Sequence, residues 1–256
     1  ASYGITGNQE IGLYRSLARF NAGSHIFGDN FYTAVGPAGN GIPNPDLTWE
    51  QTSQMDIGMD LTTFSGRLKL TVDYYDKNTT DLLMEFPVAR ASGYNSVLLN
   101  TGEVSNKGIE LSVGTNLQAG KFGISFDANF TYNKNEILDL GGVDRILGTG
   151  AQFIGEPMNS VYSIKNIGMW QLGEEEEAAV YDAEPGYWKY EDVNEDGSID
   201  SEFDRQIIGK QQPDKHYGLT TTLDYGNFEF SFLLQGAAGH LITGGVKGSR
   251  FDGRGG

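Results

Sequence analysis

Cysteine does not occur in the 256 residues, so there is no disulfide framework, thiolate metal site or cysteine nucleophile. Cations are scarce: 18 Lys and Arg stand against 34 Asp and Glu, a formal net charge of −16. That excludes the basic surface that nucleic-acid phosphates or anionic lipid heads require. No apolar run approaches the ~18 residues of a membrane helix, and Ala1-Ser2-Tyr3 has neither the basic start nor the apolar core of a signal peptide. His25, His216 and His240 are too far apart for a zinc-binding helix pair, and neither a nucleophile elbow nor a phosphate loop is present. No catalytic residue is assigned, and the expectation is a protein that is not an enzyme. A membrane β-barrel stays open, because its spans alternate and never build a long apolar run.

What is abundant is alternation. Met55, Ile57, Met59 and Leu61 interleave with Gln54, Asp56, Gly58 and Asp60. After Ser65-Gly66 the pattern resumes as Leu68, Leu70, Val72 and Tyr74. Each run is a strand with one apolar face, and the short link makes the pair a hairpin. A second hairpin sets Ile109, Leu111, Val113 and Leu117 beside Phe122, Ile124, Phe126, Ala128, Phe130 and Tyr132 across Ala119-Gly120. A third sets Tyr217, Leu219, Leu223 and Tyr225 beside Phe228, Phe230, Phe232 and Leu234 across Gly226-Asn227. The 36 glycines, scattered without a period, fit many turns and kinks.

Strands of about ten residues suit a barrel span better than a globular strand of about five or six. Tight turns within hairpins and long excursions between them put short links on one side and long loops on the other, as in outer-membrane barrels. Phe122, Tyr225 and Phe228 lie near the tight turns, and Tyr74, Tyr132 and Tyr217 near the far ends. From Phe122 to Tyr132 is roughly 33 Å along the strand, or about 24 Å along the axis at a 45° tilt. That spacing matches an apolar band with an aromatic girdle at each interface. On the opposite face, Asp56, Asp60, Asp73, Asp127, Asn129 and Asp224 suit a wet lumen or the solvent side of a sandwich.

A series of blocks then becomes recognisable: SYGITGN (2–8), NPDLTWEQT (44–52), DYYDKNTTDLL (73–83), NTGEVSNKGIEL (100–111), YNKNEIL (132–138), GEP (155–157), DVNEDGSID (192–200), DRQIIG (204–209) and FEFSFLLQG (228–236). In that order they resemble the later barrel region of SusC/RagA-like TonB-dependent outer-membrane transporters. The resemblance implies an all-β fold: residues 1–256 as part of an antiparallel up-and-down transmembrane barrel of about 22 strands. It implies extracellular loops over about 9–48, 76–107 and 134–215, with the plug domain and terminal strands outside this stretch. GGVKGSRFDGRGG (244–256) is expected to be extracellular loop as well. The resemblance further implies active uptake of large nutrients, oligosaccharides or peptides, across the outer membrane of a Gram-negative bacterium. Its implied partners are a SusD-like surface lipoprotein acting as a lid, the TonB complex through the plug, outer-membrane lipid, and the remaining barrel polypeptide. No substrate contact is assigned to a numbered residue.

The stretch Asp192 to Asp204 resembles a calcium loop. Asp192, Asn194 and Asp196 fill positions one, three and five, Gly197 the turn, Ser198 position seven through its carbonyl, and Asp200 position nine. Position twelve is Phe203, which has no oxygen to give, flanked by Glu202 and Asp204. The transporter family usually carries an Asp followed by Arg there, which makes Asp204 the expected ligand after one inserted residue and Glu202 the alternative. A bound structural Ca2+ and a metal-free Asx-rich turn held by its own hydrogen bonds are both open. In either case the motif is a fastening for a long loop, with no helices flanking it as in a calcium switch. Trp170, Tyr187, Trp188 and Tyr190, with Trp49 before the first full strand, are expected to build small loop cores, the other reading being a glycan path. Glu174 to Glu177 is expected to be a solvated face. A soluble calcium-stabilised β-sandwich that binds carbohydrate, and a purely structural surface protein, are the other function classes.

Overall fold

A computed structural model of the chain describes residues 1–8, 16–17, 20–28, 30–37, 41–147 and 151–242. The chain divides into two compact units: residues 1–146, 153–158 and 216–236, and residues 147–152, 159–215 and 237–256.

The first unit is built on a seven-stranded sheet. Its strands run Ser2–Asn8, Glu50–Thr63, Leu68–Pro87, Ser96–Ala119, Phe122–Leu140, Lys215–Tyr225 and Phe228–Ala238, each beside its neighbour in chain order. The registers along the first five strands are antiparallel, as expected for an up-and-down meander. The three tight turns sit side by side. The Arg67 carbonyl accepts from the Asn116 amide at 3.1 Å, and the Lys121 carbonyl accepts from the Gly226 amide at 3.0 Å. Phe64 and Ser65 take positive φ (51° and 59°), the conformation in which a turn's twist follows that of its strands.

Register places the apolar residues in rows. Ile57, Tyr74, Ile109 and Tyr132 are successive cross-strand partners, as are Met59, Val72, Leu111 and Phe130, and Leu61, Leu70, Val113 and Ala128. This apolar face has no second layer over it among the described residues: Ile57 is 51% exposed and Phe230 62%. A β-sandwich buries such a face against a facing sheet, so the sandwich reading fails. The sheet is the antiparallel up-and-down wall expected of a barrel segment.

Two expectations change in detail. The excursion over 76–107 is mostly strand, since one strand continues to Pro87 and the next begins at Ser96. The excursion from 134 begins in strand too, which persists to Leu140. These extensions reach beyond the apolar band, so neither face alternates and period two is lost. Polar cross-strand pairs hold them instead, such as Thr52 with Thr79, whose hydroxyls lie 2.9 Å apart. The 9–48 excursion contains a hairpin of Phe20–Phe27 and Asn30–Pro37. The terminal stretch 244–256 lies outside the described residues.

The buried core of this unit is small. Val104, Ile137 and Leu140 pack with Leu82, Met84 and Ile146 beyond the apolar band. The Gly155-Glu156 segment closes it, with the Ile137 amide donating to the Glu156 carbonyl (2.9 Å) and the Gly155 amide to the Ile137 carbonyl (2.8 Å).

Among its described residues the second unit contains two short antiparallel pairs, Ser160–Ile164 with Arg205–Lys210 and Asn166–Met169 with Trp188–Tyr190, and one helix, Glu175–Val180. Six residues are too few for a helix to stand alone. It is anchored by buried Ala178 and followed by the acidic loop.

Candidate functional site

The polar face of the wall opposes the apolar one. Its acids do not extend freely. Asp73 lies over Gly58, Asp127 over Gly114 and Asp224 over Gly123. Any Cβ at these glycines would meet the carboxylate, so glycine lets each acid lie close against the neighbouring strand. Asp60 accepts from the Thr71 hydroxyl at 2.7 Å, and Asp56 from Gln54 Nε2 at 2.8 Å. The face is therefore a hydrogen-bonded polar lining.

A side-chain chain on the same face was not foreseen. The Tyr75 hydroxyl donates to Asn133 Oδ1 at 3.0 Å. Asn106 Oδ1 accepts from Asn133 Nδ2 (3.3 Å) and Asn135 Nδ2 (3.0 Å), and Asn135 Oδ1 accepts from the Met158 amide (2.8 Å). Three strands and the 153–158 segment are thus tied by amides. Tyr75, Asn106, Asn133 and Asn135 all share the face of Asp73, but cross-strand register, not parity along one strand, brings them together.

The acidic loop closes on itself. Asp192 Oδ2 accepts from the Gly197 amide at 2.9 Å and the Tyr181 hydroxyl at 3.3 Å. Asn194 Oδ1 accepts from the Asp196 amide (3.4 Å), and Asp196 Oδ1 from the Ser198 amide (2.9 Å). Asp200 Oδ1 accepts from the amides of Glu202 (2.7 Å) and Phe203 (2.9 Å). Asp204, fully buried, accepts from Val193 N through Oδ1 (2.9 Å) and Asp200 N through Oδ2 (2.7 Å). The residue one place beyond position twelve therefore closes the loop, while Phe203 is exposed. Glu202 is exposed as well, its amide tied to Asp200.

Burial pushes the Asp192 carboxyl up, but the amides of Gly197 and Glu195 and the Tyr181 hydroxyl outweigh it and hold the group below the ordinary range. Its Oδ1 is buried without a hydrogen-bond partner. Among the described residues, no three acidic or histidine side chains converge as a metal cluster.

Trp170 supports this loop. It is 5% exposed, stacks on Tyr181 with ring centroids 5.8 Å apart, and has Lys189 Nζ 4.0 Å from its centroid. Lys189 also pairs with Glu174 at 3.0 Å, and Glu174 accepts from the Gln171 amide at 2.7 Å. The Glu174–Glu177 run is thus not wholly a solvated face, since its first residue is a clamp. The core expectation holds for Trp170 only. Trp188 and Tyr190 alternate with Lys189 along a strand and so face the other way, exposed, as is Tyr187.

Comparison with known proteins accords with this geometry. Residues 13–196 match the family model described as TonB dependent receptor-like, beta-barrel. The chain is 36% identical to TonB-dependent receptor P26 of Formosa agariphila, covering 94% of this chain and 25% of that protein. It is 30% identical to TonB-dependent receptor SusC of Bacteroides thetaiotaomicron, with the same coverage of 94% and 25%. A solved structure of the RagAB peptide importer in the open-open state superposes with a TM-score of 0.72 at 26% identity, over 93% of this chain and 25% of that one. The chain spans about a quarter of the length of the curated relatives it matches. With its exposed apolar rows, hydrogen-bonded polar face and side-by-side tight turns, the chain belongs to the TonB-dependent receptor family, as a segment of its β-barrel.

Proposed function

We propose that this chain is part of a TonB-dependent transporter in the outer membrane of a Gram-negative bacterium, importing nutrients too large for porins. Oligosaccharides and peptides are the cargo classes, a SusD-like surface lipoprotein is the lid, and the TonB complex supplies energy through the plug of the intact receptor. No catalytic step is assigned to it. The observation that carries this reading is the two-faced wall, with apolar rows that have no covering layer among the described residues and a polar face stitched by side-chain hydrogen bonds. Such a wall needs hydrocarbon on one side and water on the other, and closure by further strands, since open sheet edges are not tolerated in lipid. Deleting the gene for the intact receptor is expected to abolish growth on its cargo while leaving growth on small sugars and amino acids unchanged. Restoration by the full gene, but not by one lacking its plug, completes the test. Equal growth of the deletion strain on every polymeric carbon and nitrogen source tried contradicts the proposal.

We infer that the 192–204 loop fastens the second unit, with Ca2+ as its structural ion. The buried, unpartnered Asp192 Oδ1 fits a cation, as does a donor set made only of hard oxygens. Asp192, Asn194, Asp196, the Ser198 carbonyl and Asp200 would hold it, with Asp204 closing the loop. When bound, the ion supplies cross-linking of the loop rather than chemistry on cargo. The amide bonds to Asp192, Asp196 and Asp204 already shape the loop without it.

A further inference from the structure

A cavity of about 590 Å³ opens where the Glu50–Thr63 strand begins, lined by Ile5, Gly7, Thr48, Trp49, Gln51 and Asp81 among others. Neither the lumen-facing network nor the acidic loop uses it. Its size falls in the range of small-molecule sites. Register fixes the face on which it lies. Gly7 pairs with Gln51 and Tyr3 with Met55, so these residues share the face of Ile57 and Met59. Ile57 is level with Tyr74, Ile109 and Tyr132. From there to Gln51 is about 20 Å along the strand, or about 14 Å along the axis at a 45° tilt. The cavity thus sits outside the wall and about 14 Å beyond the hydrocarbon edge, past the glycerol and phosphate layer and level with the sugars that an outer-leaflet glycolipid extends from the surface.

Its chemistry is that of a sugar site. Trp49 is 62% exposed, with one edge against Gly7, where an added Cβ would lie 3.1 Å from Cε3. The absent side chain at Gly7 is what lets the indole settle there and present apolar surface. The rim is held by Asn100, whose Oδ1 accepts from the Thr48 amide (2.9 Å) and whose Nδ2 donates to the carbonyls of Thr48 (2.8 Å) and Asp81 (2.9 Å). Asp81 sits at a break in the ladder register between Thr79 and Leu82, at φ +56°, and is exposed. A non-glycine residue in the left-handed region is a backbone outlier that the surroundings must hold in place. An indole surface for the apolar side of a pyranose and a carboxylate for its hydroxyls thus line one cavity, the backbone of Asp81 being held by Asn100.

We propose that this cavity binds a saccharide, the sugar headgroup of an outer-leaflet glycolipid. The proposal rests on the barrel reading of the wall, because a site on this face looks away from the cargo path. The test uses the intact receptor in mild detergent and the deacylated headgroup oligosaccharide of its host's outer leaflet, titrated calorimetrically. Trp49→Ala and Asp81→Asn are each expected to weaken binding at least tenfold. Asn tolerates the left-handed backbone, so Asp81→Asn should keep the wild-type melting temperature and remains informative if Trp49→Ala does not fold. Reduced glycolipid carried through purification by Asp81→Asn, seen by native mass spectrometry, is the matching result in the membrane. Absence of wild-type binding at millimolar oligosaccharide, or wild-type affinity in both variants, overturns the site. Binding of cargo fragments in place of the headgroup sugar also overturns it. A nitroxide at Met59→Cys, within the apolar rows, separates the two failures: if it is open to a water-soluble relaxant and not to dissolved oxygen, the wall reading has failed rather than the site.

Discussion

The Tyr75 side chain crosses Gly108 on the neighbouring strand and donates its hydroxyl to Asn133 on the strand beyond, at 3.0 Å. One tyrosine therefore ties three strands, and it does so only because Gly108 has no Cβ. A methyl group there would run into the Tyr75 ring and the Tyr132 carbonyl.

Gly108→Ala is accordingly expected to displace Tyr75 and destabilise the wall by about 1–3 kcal/mol, the usual cost of overpacking. Tyr75→Phe should cost about 1 kcal/mol, the net value of one hydrogen bond. Equilibrium unfolding of the intact receptor in detergent measures both. A Gly108→Ala variant as stable as wild type contradicts the crossing.

Acid should loosen the second unit. The Gln171 amide first, and then Lys189, hold the Glu174 carboxyl below the usual range; Lys165 first, and then Gln206, do the same for Glu191. A carboxylate whose folded value is depressed contributes stability above the unfolded value, about 4.3 for Glu, and loses it as pH falls through the folded value. Near-ultraviolet dichroism of the Trp170–Tyr181 pair, taken as the difference between wild type and Trp170→Phe, should be constant from pH 7 to about 5 and fade below about 4. A signal that fades only above pH 7 has the wrong sign.

The loop makes a separate prediction about its ion. Tb3+ in place of Ca2+ should luminesce on excitation of Tyr181, whose hydroxyl lies 3.3 Å from Asp192 Oδ2, and excess Ca2+ should quench the signal. Asp192→Asn should abolish it. Asp204→Ala should open the loop to protease with or without calcium, because it strips two backbone amides of their acceptor at about 1–3 kcal/mol each. No Ca2+-competed luminescence in the folded wild type would leave the loop as a metal-free Asx turn.

The membrane-depth part of the fold was legible from sequence because water and hydrocarbon on opposite faces impose alternation. Ile109 to Leu117 and Phe122 to Tyr132 pair in the register their parity demands. The extensions beyond Asp76 and before Lys107 were not legible, since strands wet on both faces carry no period. The Tyr75–Asn133–Asn106 chain was hidden for another reason: it depends on which residues stand opposite, and single-strand parity cannot give that. Asp204 shows the limit of motif counting. EF-hand spacing selects Phe203, but a turn that ties Glu202 and Phe203 to Asp200 lets the next carboxylate reach Val193 and Asp200. Trp170 and Trp188 have similar surroundings in sequence, yet strand alternation turns Lys189 onto the buried Trp170 and leaves Trp188 exposed.

The central claim is that the row through Leu70, Val113 and Ala128 faces hydrocarbon while Ser112, one residue away, faces water. This chain contributes no cysteine of its own, so single cysteines carrying a nitroxide can be placed at each position of the intact receptor in lipid vesicles. The account predicts that a label at Val113→Cys collides with dissolved oxygen and is shielded from a water-soluble nickel chelate, with the reverse at Ser112→Cys. Equal access of the nickel chelate to both labels would contradict it.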